Sequence, residues 1–168
     1  MNRMVRALAV TVSTRSATGV YADRSGPVLV DGLRELGFEV DGPTVIPDGE
    51  AVESTLRTAV DDGYDVIVTT GGTGLNPNDT TPEMTRRVID AEVPGLAEGI
   101  RAYGVAQGVP TAALSRGVAG RAGRALVVNL PGSSGGVRDG LAVLASVLHH
   151  AVDQIWGGDH PRDEGHAP

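Results

Sequence analysis

Five stretches of the chain have the pattern of β-strands, and their apolar residues run almost without interruption. They cover residues 5–12, 38–46, 65–70, 111–115 and 124–130. Runs such as VIVTT and ALVVNL are rich in β-branched residues and lack polar alternation, which is typical of parallel strands buried on both faces. The second stretch mixes polar with apolar residues, so it is expected nearer an edge of the sheet.

The segments between these strands carry apolar residues at helical spacing. They predict helices over residues 26–36, 49–62, 82–91, 95–107 and 134–155. Strands that alternate with helices indicate βαβ units. The predicted fold class is therefore α/β, a three-layer α/β/α arrangement with a mostly parallel sheet and helices on both faces.

A chain of 168 residues and 17.2 kDa has the size of one domain. We expect this domain to cover residues 1–156, and we expect the glycine-rich and polar tail, residues 157–168, to be disordered. The N-terminal apolar run of about eight residues is typical of a buried strand rather than a signal peptide. No run approaches the ~20 apolar residues that span a bilayer, so a cytoplasmic location without membrane contact is expected.

Composition narrows the chemistry further. The chain has no cysteine, which excludes disulfides, thiolate metal sites and a cysteine nucleophile. All 14 basic residues are arginine, so a Schiff-base or P-loop lysine is excluded as well. Phosphate binding is left to arginine, backbone N–H groups or a metal ion. The net charge of −7 makes nucleic acid an unexpected partner.

The loop after the third predicted strand reads GGTG, residues 71–74. Glycines there leave room for backbone N–H groups to approach a phosphate. A tight turn is the plain alternative. In parallel sheets ligands bind beyond the carboxyl ends of the strands, so this loop is expected to share an edge with the loops that begin at Ser13, Pro47 and Pro131.

Two aspartates stand in these loops, each just before a predicted helix. Asp48 follows the second strand and Asp79 follows the glycine loop. Capping of the helix is the plain interpretation of each, and Thr80 with Glu83 has the spacing of a capping box. Together, the two carboxylates suit a Mg²⁺ ion that also binds phosphate oxygens.

Two more segments are candidates for anion binding. NLPGSS, residues 129–134, leads from the fifth strand into the last helix. Its serines are either an anion site or a simple cap. Arg116, in LSR at the end of the fourth predicted strand, is either a clamp on an anionic ligand or a surface ion pair.

Taken together, TTGGTG…NDTTPE, LSR and NLPGS, with DRSG and IPD before them, closely resemble the MogA/MoaB family of molybdenum-cofactor biosynthesis proteins, which also form the G domain of gephyrin. The resemblance covers roughly residues 4–155. It implies a molybdopterin adenylyltransferase that uses ATP and Mg²⁺ to activate molybdopterin and releases pyrophosphate. It also implies a homo-oligomer, most often a trimer, and a molybdate-insertion enzyme as downstream partner.

The resemblance also implies roles for individual residues. The family's functional aspartates fall on Asp48 and Asp79, which are the candidate catalytic and metal-binding residues. The candidate ligand-binding residues are Ser13, Thr70, Gly71, Gly72, Thr73, Gly74, Ser115, Asn129, Pro131, Gly132 and Ser133.

One position departs from the family pattern. The family has arginine or another basic residue just before the second aspartate, where this chain has Asn78. If the family's basic residue binds a phosphate, this chain lacks one charge-assisted contact. Because the family also contains MoaB-type members whose catalytic competence is doubtful, a non-catalytic, MoaB-type molybdopterin-binding paralogue stays open as an alternative. A nucleotide pyrophosphatase, as in CinA-type proteins, and a structural subunit without a ligand are the other rivals.

Overall fold

A computed structural model describes residues 3–158. Its single sheet has six strands in the order β2-β1-β3-β6-β5-β4. The strands are β1 (Arg6–Val12), β2 (Glu39–Ile46), β3 (Val66–Thr70), β4 (Ala91–Glu92), β5 (Ala119–Ala122) and β6 (Ala125–Leu130). The first three strands and β6 pair in parallel, and β5 and β4 extend the sheet as antiparallel strands. The predicted fold class, with its mostly parallel sheet, is confirmed, and β2 lies at an edge as expected.

Helices cover both faces of this sheet. They are α1 (Thr14–Ala17), α2 (Ser25–Glu35), α3 (Glu50–Asp61), α4 (Thr81–Arg86), α5 (Pro94–Ala106), α6 (Ser134–Leu144) and α7 (Leu148–Ile155), with a 3-10 helix at Pro110–Leu114. None of the helices within residues 3–158 has the length and apolarity needed to cross a bilayer.

The core lies in two layers because successive strand residues point to opposite faces. On β1, Ala7 and Ala9 belong to the cluster that packs against α2, α6 and α7. Leu8 and Val10 belong to the cluster that packs against α3 and α4. The interior strands are therefore buried on both faces and mostly apolar, with Thr and Asn near their carboxyl ends, which explains why the sequence shows apolar runs rather than alternation.

The fourth predicted strand, residues 111–115, is wrong. This segment is the 3-10 helix Pro110–Leu114, where Pro110 lacks an N–H and has a fixed φ that suits a first helical turn. The strand that fills this place is β5, whose sequence AGRA contains no β-branched residue. Gly120 of β5 is needed because a Cβ there would meet the Ala91 carbonyl of β4 at 2.6 Å. Such a strand gives almost no apolar signal.

Two predicted helices are shorter than expected. The helix expected over 82–91 ends with α4 at Arg86, and residues 91–92 form β4. The helix expected over 134–155 is divided into α6 and α7. At the break the Ser146 hydroxyl donates to the Val143 carbonyl at 3.0 Å, and such side-chain bonds compete with the helical backbone pattern.

Both ends of the described chain meet at the amino end of β3. Asp65 is 1% exposed and accepts hydrogen bonds from Arg3 (2.7 Å), the Arg6 backbone N–H (2.9 Å) and Trp156 Nε1 (3.0 Å). Gly158 closes α7 by donating to the Asp153 carbonyl at 2.7 Å. The rest of the predicted tail, residues 159–168, lies outside the described residues, and the assignment of residues 1–156 to one domain stays a prediction.

Candidate active site

The carboxyl ends of the four parallel strands are in register at one edge of the sheet. Val12 pairs with Ile46, Thr11 with Thr70, and Thr70 with Leu130. The loops that follow these strands therefore begin side by side, as the sequence predicted. They surround two cavities of ligand size, which we call cavity A, of about 1140 Å³, and cavity B, of about 910 Å³.

The predicted site residues divide between these cavities. Those that line cavity A are Ser13, Asp48, Thr70 and Gly71. Those that line cavity B are Thr73, Gly74, Ser115, Pro131 and Ser133. Gly72, Asp79 and Gly132 line both. Asp79 and the glycine-rich loop thus form the boundary between two adjoining cavities.

Asp48 is not a helix cap. The N-cap of α3 is Gly49, and no side chain caps that helix. Instead Asp48 Oδ2 accepts from the Thr14 hydroxyl at 2.9 Å and from the Thr14 N–H at 3.3 Å. Its other oxygen, Oδ1, is buried and has no hydrogen-bond partner among residues 3–158. A buried carboxylate oxygen without a partner is costly, so this oxygen is a candidate ligand for a cation.

Asp79 does not cap a helix either. Its Oδ2 accepts from the Asn76 N–H at 3.2 Å, and its own N–H donates to the Asn76 carbonyl at 2.8 Å. The predicted capping box is wrong, since Thr80 is the N-cap of α4 but makes no side-chain cap bond. The Thr80 hydroxyl oxygen is the second buried side-chain atom within residues 3–158 that lacks a partner. It belongs to a residue that lines cavity A, as Asp48 does.

Arg116 braces the loop that carries Asp79. Its Nε donates to the Gly74 carbonyl at 3.0 Å, and its Nη2 donates to the Asp79 carbonyl at 2.6 Å. Its Nη1 pairs with Glu83, and this hydrogen bond holds the pKa of the Glu83 carboxyl below its usual value. All three guanidinium nitrogens are therefore used within the protein, so of the two alternatives for Arg116 the contacts favour the ion pair, which also braces the loop.

Positions 72 and 74 of the glycine-rich loop leave no room for a side chain, because a carboxylate lies close to the backbone at each. A Cβ on Gly72 would lie 3.0 Å from Asp48 Oδ1 and would collide with the Thr81 hydroxyl. A Cβ on Gly74 would lie 2.8 Å from Asp79 Oδ2. Side chains at these positions would fill the space beside both carboxylates, so the glycines keep that space open.

The remaining predicted residues hold the loops together. Ser13 and Ser133 are N-caps, and their hydroxyls accept from the N–H groups of Ser16 and Gly136. The Thr70 hydroxyl donates to the Pro131 carbonyl at 2.7 Å. This bond ties the glycine loop to the loop that starts α6.

Ser115 and Asn129 differ from what the sequence indicated. Ser115 reaches cavity B from the end of the 3-10 helix rather than from a strand, and its hydroxyl lies 3.4 Å from that of Thr73. Asn129 lines neither cavity. It is 4% exposed and bonds the hydroxyls of Thr69 and Thr85, both at 3.0 Å, and the Val118 N–H at 3.2 Å. Asn129 is therefore a structural residue that joins β3, β6 and α4, because every polar atom of its side chain is used in the core.

Sequence reasoning missed several residues on the outer wall of cavity A. They are Thr14, Tyr21, Arg24 and Thr80. Residues 14–24 carry no apolar period, so α1 was expected to be loop. The available signal was positional, since this segment directly follows the carboxyl end of β1.

The donor set fits a divalent cation that takes most of its ligands from a bound phosphate and from water. Within residues 3–158 no group of three or more His, Asp or Glu side chains could hold a metal alone. Mg²⁺ is usually held by one or two carboxylates together with substrate phosphates. Asp48 with its unpartnered Oδ1, and Asp79, which lines the same cavity, match that pattern.

A mostly parallel α/β sheet, with two carboxylates and a glycine-rich loop at the carboxyl ends of its strands, places the chain in the class of α/β proteins whose ligand sites lie at this edge. The chain belongs to the MogA/MoaB family of molybdenum-cofactor biosynthesis proteins. The family described as "Probable molybdopterin binding domain" matches residues 8–150.

Individual relatives agree with this membership. A molybdopterin adenylyltransferase from Helicobacter pylori is 35% identical over 152 residues, which is 88% of this chain and 86% of that protein. A MogA structure is 55% identical with a TM-score of 0.87, covering 89% of this chain and 99% of that one. The MoaB structure from Thermus thermophilus is 44% identical with a TM-score of 0.86, covering 92% and 98%. The chain spans about half the length, 50%, of two curated bifunctional relatives that it also matches.

Proposed function

We propose that the protein is a molybdopterin adenylyltransferase, which uses ATP and Mg²⁺ to attach AMP to molybdopterin and releases pyrophosphate. The observation that carries the proposal is the position and hydrogen bonding of Asp48 and Asp79. Neither caps its helix, both line cavity A, and Asp48 keeps a buried oxygen without a partner among residues 3–158. Relatives named for this activity support it.

We assign the nucleotide to cavity A and the pterin to cavity B. Cavity A combines both carboxylates with the glycine-rich backbone at Gly72, a combination that suits phosphates and their counterion. Cavity B has an apolar wall that includes Ile100 and Leu114, which suits a flat ring system. The substrates' phosphates would meet at Asp79, on the boundary.

The reaction needs no protein nucleophile. A terminal phosphate oxygen of molybdopterin attacks the α-phosphorus of ATP and forms a new P–O bond. The bond from that phosphorus to the oxygen bridging to the β-phosphate breaks, and pyrophosphate leaves with that oxygen. The protein contributes positioning and charge neutralisation.

Asp48 and Asp79 would hold Mg²⁺, which when bound neutralises phosphate charge and orients phosphate oxygens. The other residues act on these carboxylates or on the substrates. Thr14 fixes Asp48 through its bonds to Oδ2, and Arg116 fixes the backbone of Asp79. Ser133, at the start of α6, would receive the anionic end of the pterin near a helix N-terminus.

The proposal extends to the assembly and the cellular setting. We propose a cytoplasmic homo-oligomer, a trimer by analogy with the family, that delivers its product to a molybdate-insertion enzyme. Val105 within α5, and Val93 and Val147 at the starts of α5 and α7, are exposed apolar residues that an interface between copies would cover. A sedimentation mass near 17.2 kDa at micromolar concentration would contradict the oligomer.

A non-catalytic molybdopterin-binding protein is the second candidate. Asn78 favours it, because this residue lines cavity A without the positive charge that the family pattern has there. The similarity to a MoaB structure is compatible with it too. The two candidates differ in turnover rather than in binding.

The test compares Asp79→Asn with wild type in single-turnover conversion of molybdopterin by ATP and Mg²⁺. The proposal expects a loss of at least a hundredfold in rate with the fold intact, because Asp79 lies between both cavities and caps no helix. Asp61→Asn is the matched control, since Asp61 is an exposed carboxylate at the end of α3. Wild-type binding of both substrates without adenylylated product would establish the second candidate instead.

A further inference from the structure

Tyr21 is unusual among the aromatic residues of this chain. Trp156 lies between two guanidinium groups, and Phe38 is buried and stacks on His149. Tyr21 is 58% exposed, and within residues 3–158 it is the one aromatic residue that lines cavity A or cavity B. An exposed ring on the wall of a cavity of ligand size, in a chain that is only 3% aromatic, is a candidate contact for a bound ligand.

The backbone holds this ring beside a cation and links it to Asp48. The N–H groups of Val20 and Tyr21 both donate to the Arg15 carbonyl, at 2.8 and 3.2 Å. The Arg15 guanidinium then lies 5.3 Å from the centre of the Tyr21 ring. Thr14, the residue before Arg15, bonds the Asp48 carboxylate. Adjacent residues in the first turn of α1 therefore hold the Tyr21 backbone and the Asp48 carboxylate.

Two cations on this wall have no acidic partner. Neither Arg15 nor Arg24 forms an ion pair within residues 3–158, although the chain carries a net charge of −7. The neighbouring Asp23 is already used, because it accepts from the Thr11 hydroxyl at 2.8 Å and from the Gly26 N–H at 3.0 Å. The two guanidinium groups are thus available to an anion in cavity A.

We infer that Tyr21 is the stacking platform for the base of a purine nucleoside triphosphate, and that Arg15 and Arg24 bind its phosphates. Base–aromatic stacking needs an exposed ring face, and unpaired guanidinium groups bind phosphate through charge-assisted hydrogen bonds. Tyr21 and Asp48 line the same cavity and are held by adjacent residues of α1, so a nucleotide whose base stacks on Tyr21 would have its phosphates in the cavity that Asp48 lines. This inference rests on the proposed function, since it names residues for the nucleotide that cavity A is assigned.

The test separates the base from the phosphates. Isothermal titration of the full chain compares ATP with inorganic tripolyphosphate, both with Mg²⁺. We expect Tyr21→Ala to weaken ATP about tenfold, which corresponds to about 1.4 kcal/mol, and to leave tripolyphosphate unchanged. Tyr21→Phe retains the ring face and keeps wild-type affinity. Val20→Ala is the matched control, because Val20 is an exposed neighbour that does not line cavity A.

Separate variants test whether the arginines bind the phosphates. Arg24→Gln should weaken ATP and tripolyphosphate by similar factors and flatten the salt dependence of both, because salt screens partly exposed charges. Arg121→Gln removes the same charge on β5, away from both cavities, and should change neither affinity.

The outcomes distinguish this inference from the proposed function. Equal weakening of both ligands by Tyr21→Ala, or no weakening of either, overturns the stacking role. A wild type that forms adenylylated pterin while Tyr21→Ala binds ATP normally leaves the proposed function standing and refutes the inference alone. ATP binding with the expected Tyr21 pattern but without product supports the inference and contradicts the proposed function. A wild type that binds no ATP contradicts both.

Discussion

Thr80 allows a substitution whose effects on stability and on ligand binding should have opposite signs. Its hydroxyl oxygen is buried without a hydrogen-bond partner among residues 3–158, on a residue that lines cavity A. Asp48 Oδ1 is likewise buried without a partner among residues 3–158, and Asp48 lines the same cavity. We interpret both oxygens as groups that find their partners on the bound ligand, so Thr80→Val removes one such group while keeping the shape of the side chain.

The magnitudes follow from the cost of an unmade hydrogen bond. A buried hydroxyl without a partner costs about 1–3 kcal/mol. Its removal should raise the free energy of unfolding by about 1 kcal/mol, or the melting temperature by about 2–4 °C for a domain of this size. A hydrogen bond to a charged phosphate contributes about 1.5–3 kcal/mol, so the affinity for Mg²⁺–ATP should fall at least tenfold.

The assay pairs thermal unfolding of the ligand-free protein with titration of Mg²⁺–ATP, for wild type, Thr80→Val and Thr80→Ser. The serine variant keeps the hydroxyl and should retain most of the affinity. A Thr80→Val protein that melts lower and binds ATP as well as wild type would refute the reasoning, because the hydroxyl would then have its partner within the protein.

Three further predictions concern Asn78, the contacts of Asp65 at the amino end of β3, and the ion pair between Glu83 and Arg116. Asn78→Arg should tighten ATP binding about tenfold at low salt, measured by titration, because residue 78 lines cavity A and is exposed. Asp65→Asn should lower the unfolding free energy by about 3 kcal/mol, measured by urea denaturation followed through the single tryptophan, Trp156, which Asp65 holds. The Arg116 hydrogen bond lowers the pKa of Glu83 below its ordinary 4.5. This pair therefore stabilises the fold above pH 4.5, and its contribution is lost as the pH falls through the lowered pKa. Glu83→Gln should flatten the fall of the unfolding free energy at acid pH.

Each of these has a clear contrary result. Unchanged ATP affinity of Asn78→Arg at low salt would mean that position 78 does not face a phosphate. A wild-type unfolding midpoint for Asp65→Asn would mean that the Asp65 contacts with Arg3, Arg6 and Trp156 do not stabilise the fold. Equal acid sensitivity of wild type and Glu83→Gln would mean that the Glu83 pair is not formed in solution.

The interior of the fold was predictable because burial on both faces makes most strand positions apolar. β1, β3 and β6 stand out in the sequence for that reason, and each is confirmed. β5 was not predictable, because its short AGRA sequence is fixed by the close approach of β4 at Gly120 rather than by apolar residues. The break between α6 and α7 was missed because the apolar helical period continues through it, with Leu144 and Leu148 both buried.

The candidate site was predictable as far as parallel strands bring their following loops to one edge. Asp48, Asp79 and the glycine loop lie where that rule puts them. Side-chain partners could not be predicted, because they depend on contacts across the fold. Asn129 is followed in the sequence by residues that line the cavities, but its own side chain bonds hydroxyls in the core. Arg116 donates to the backbone of the loop that carries Asp79.

The central claim is that the two adjoining cavities bring a nucleotide and molybdopterin together for transfer of AMP. The most direct measurement incubates the wild-type protein with molybdopterin, Mg²⁺ and ATP labelled at the α-phosphate, and follows the label and pyrophosphate together. The account predicts that label moves to the pterin with one pyrophosphate released per transfer, and that neither appears when molybdopterin is omitted. Tight binding of both substrates with no labelled pterin would contradict it.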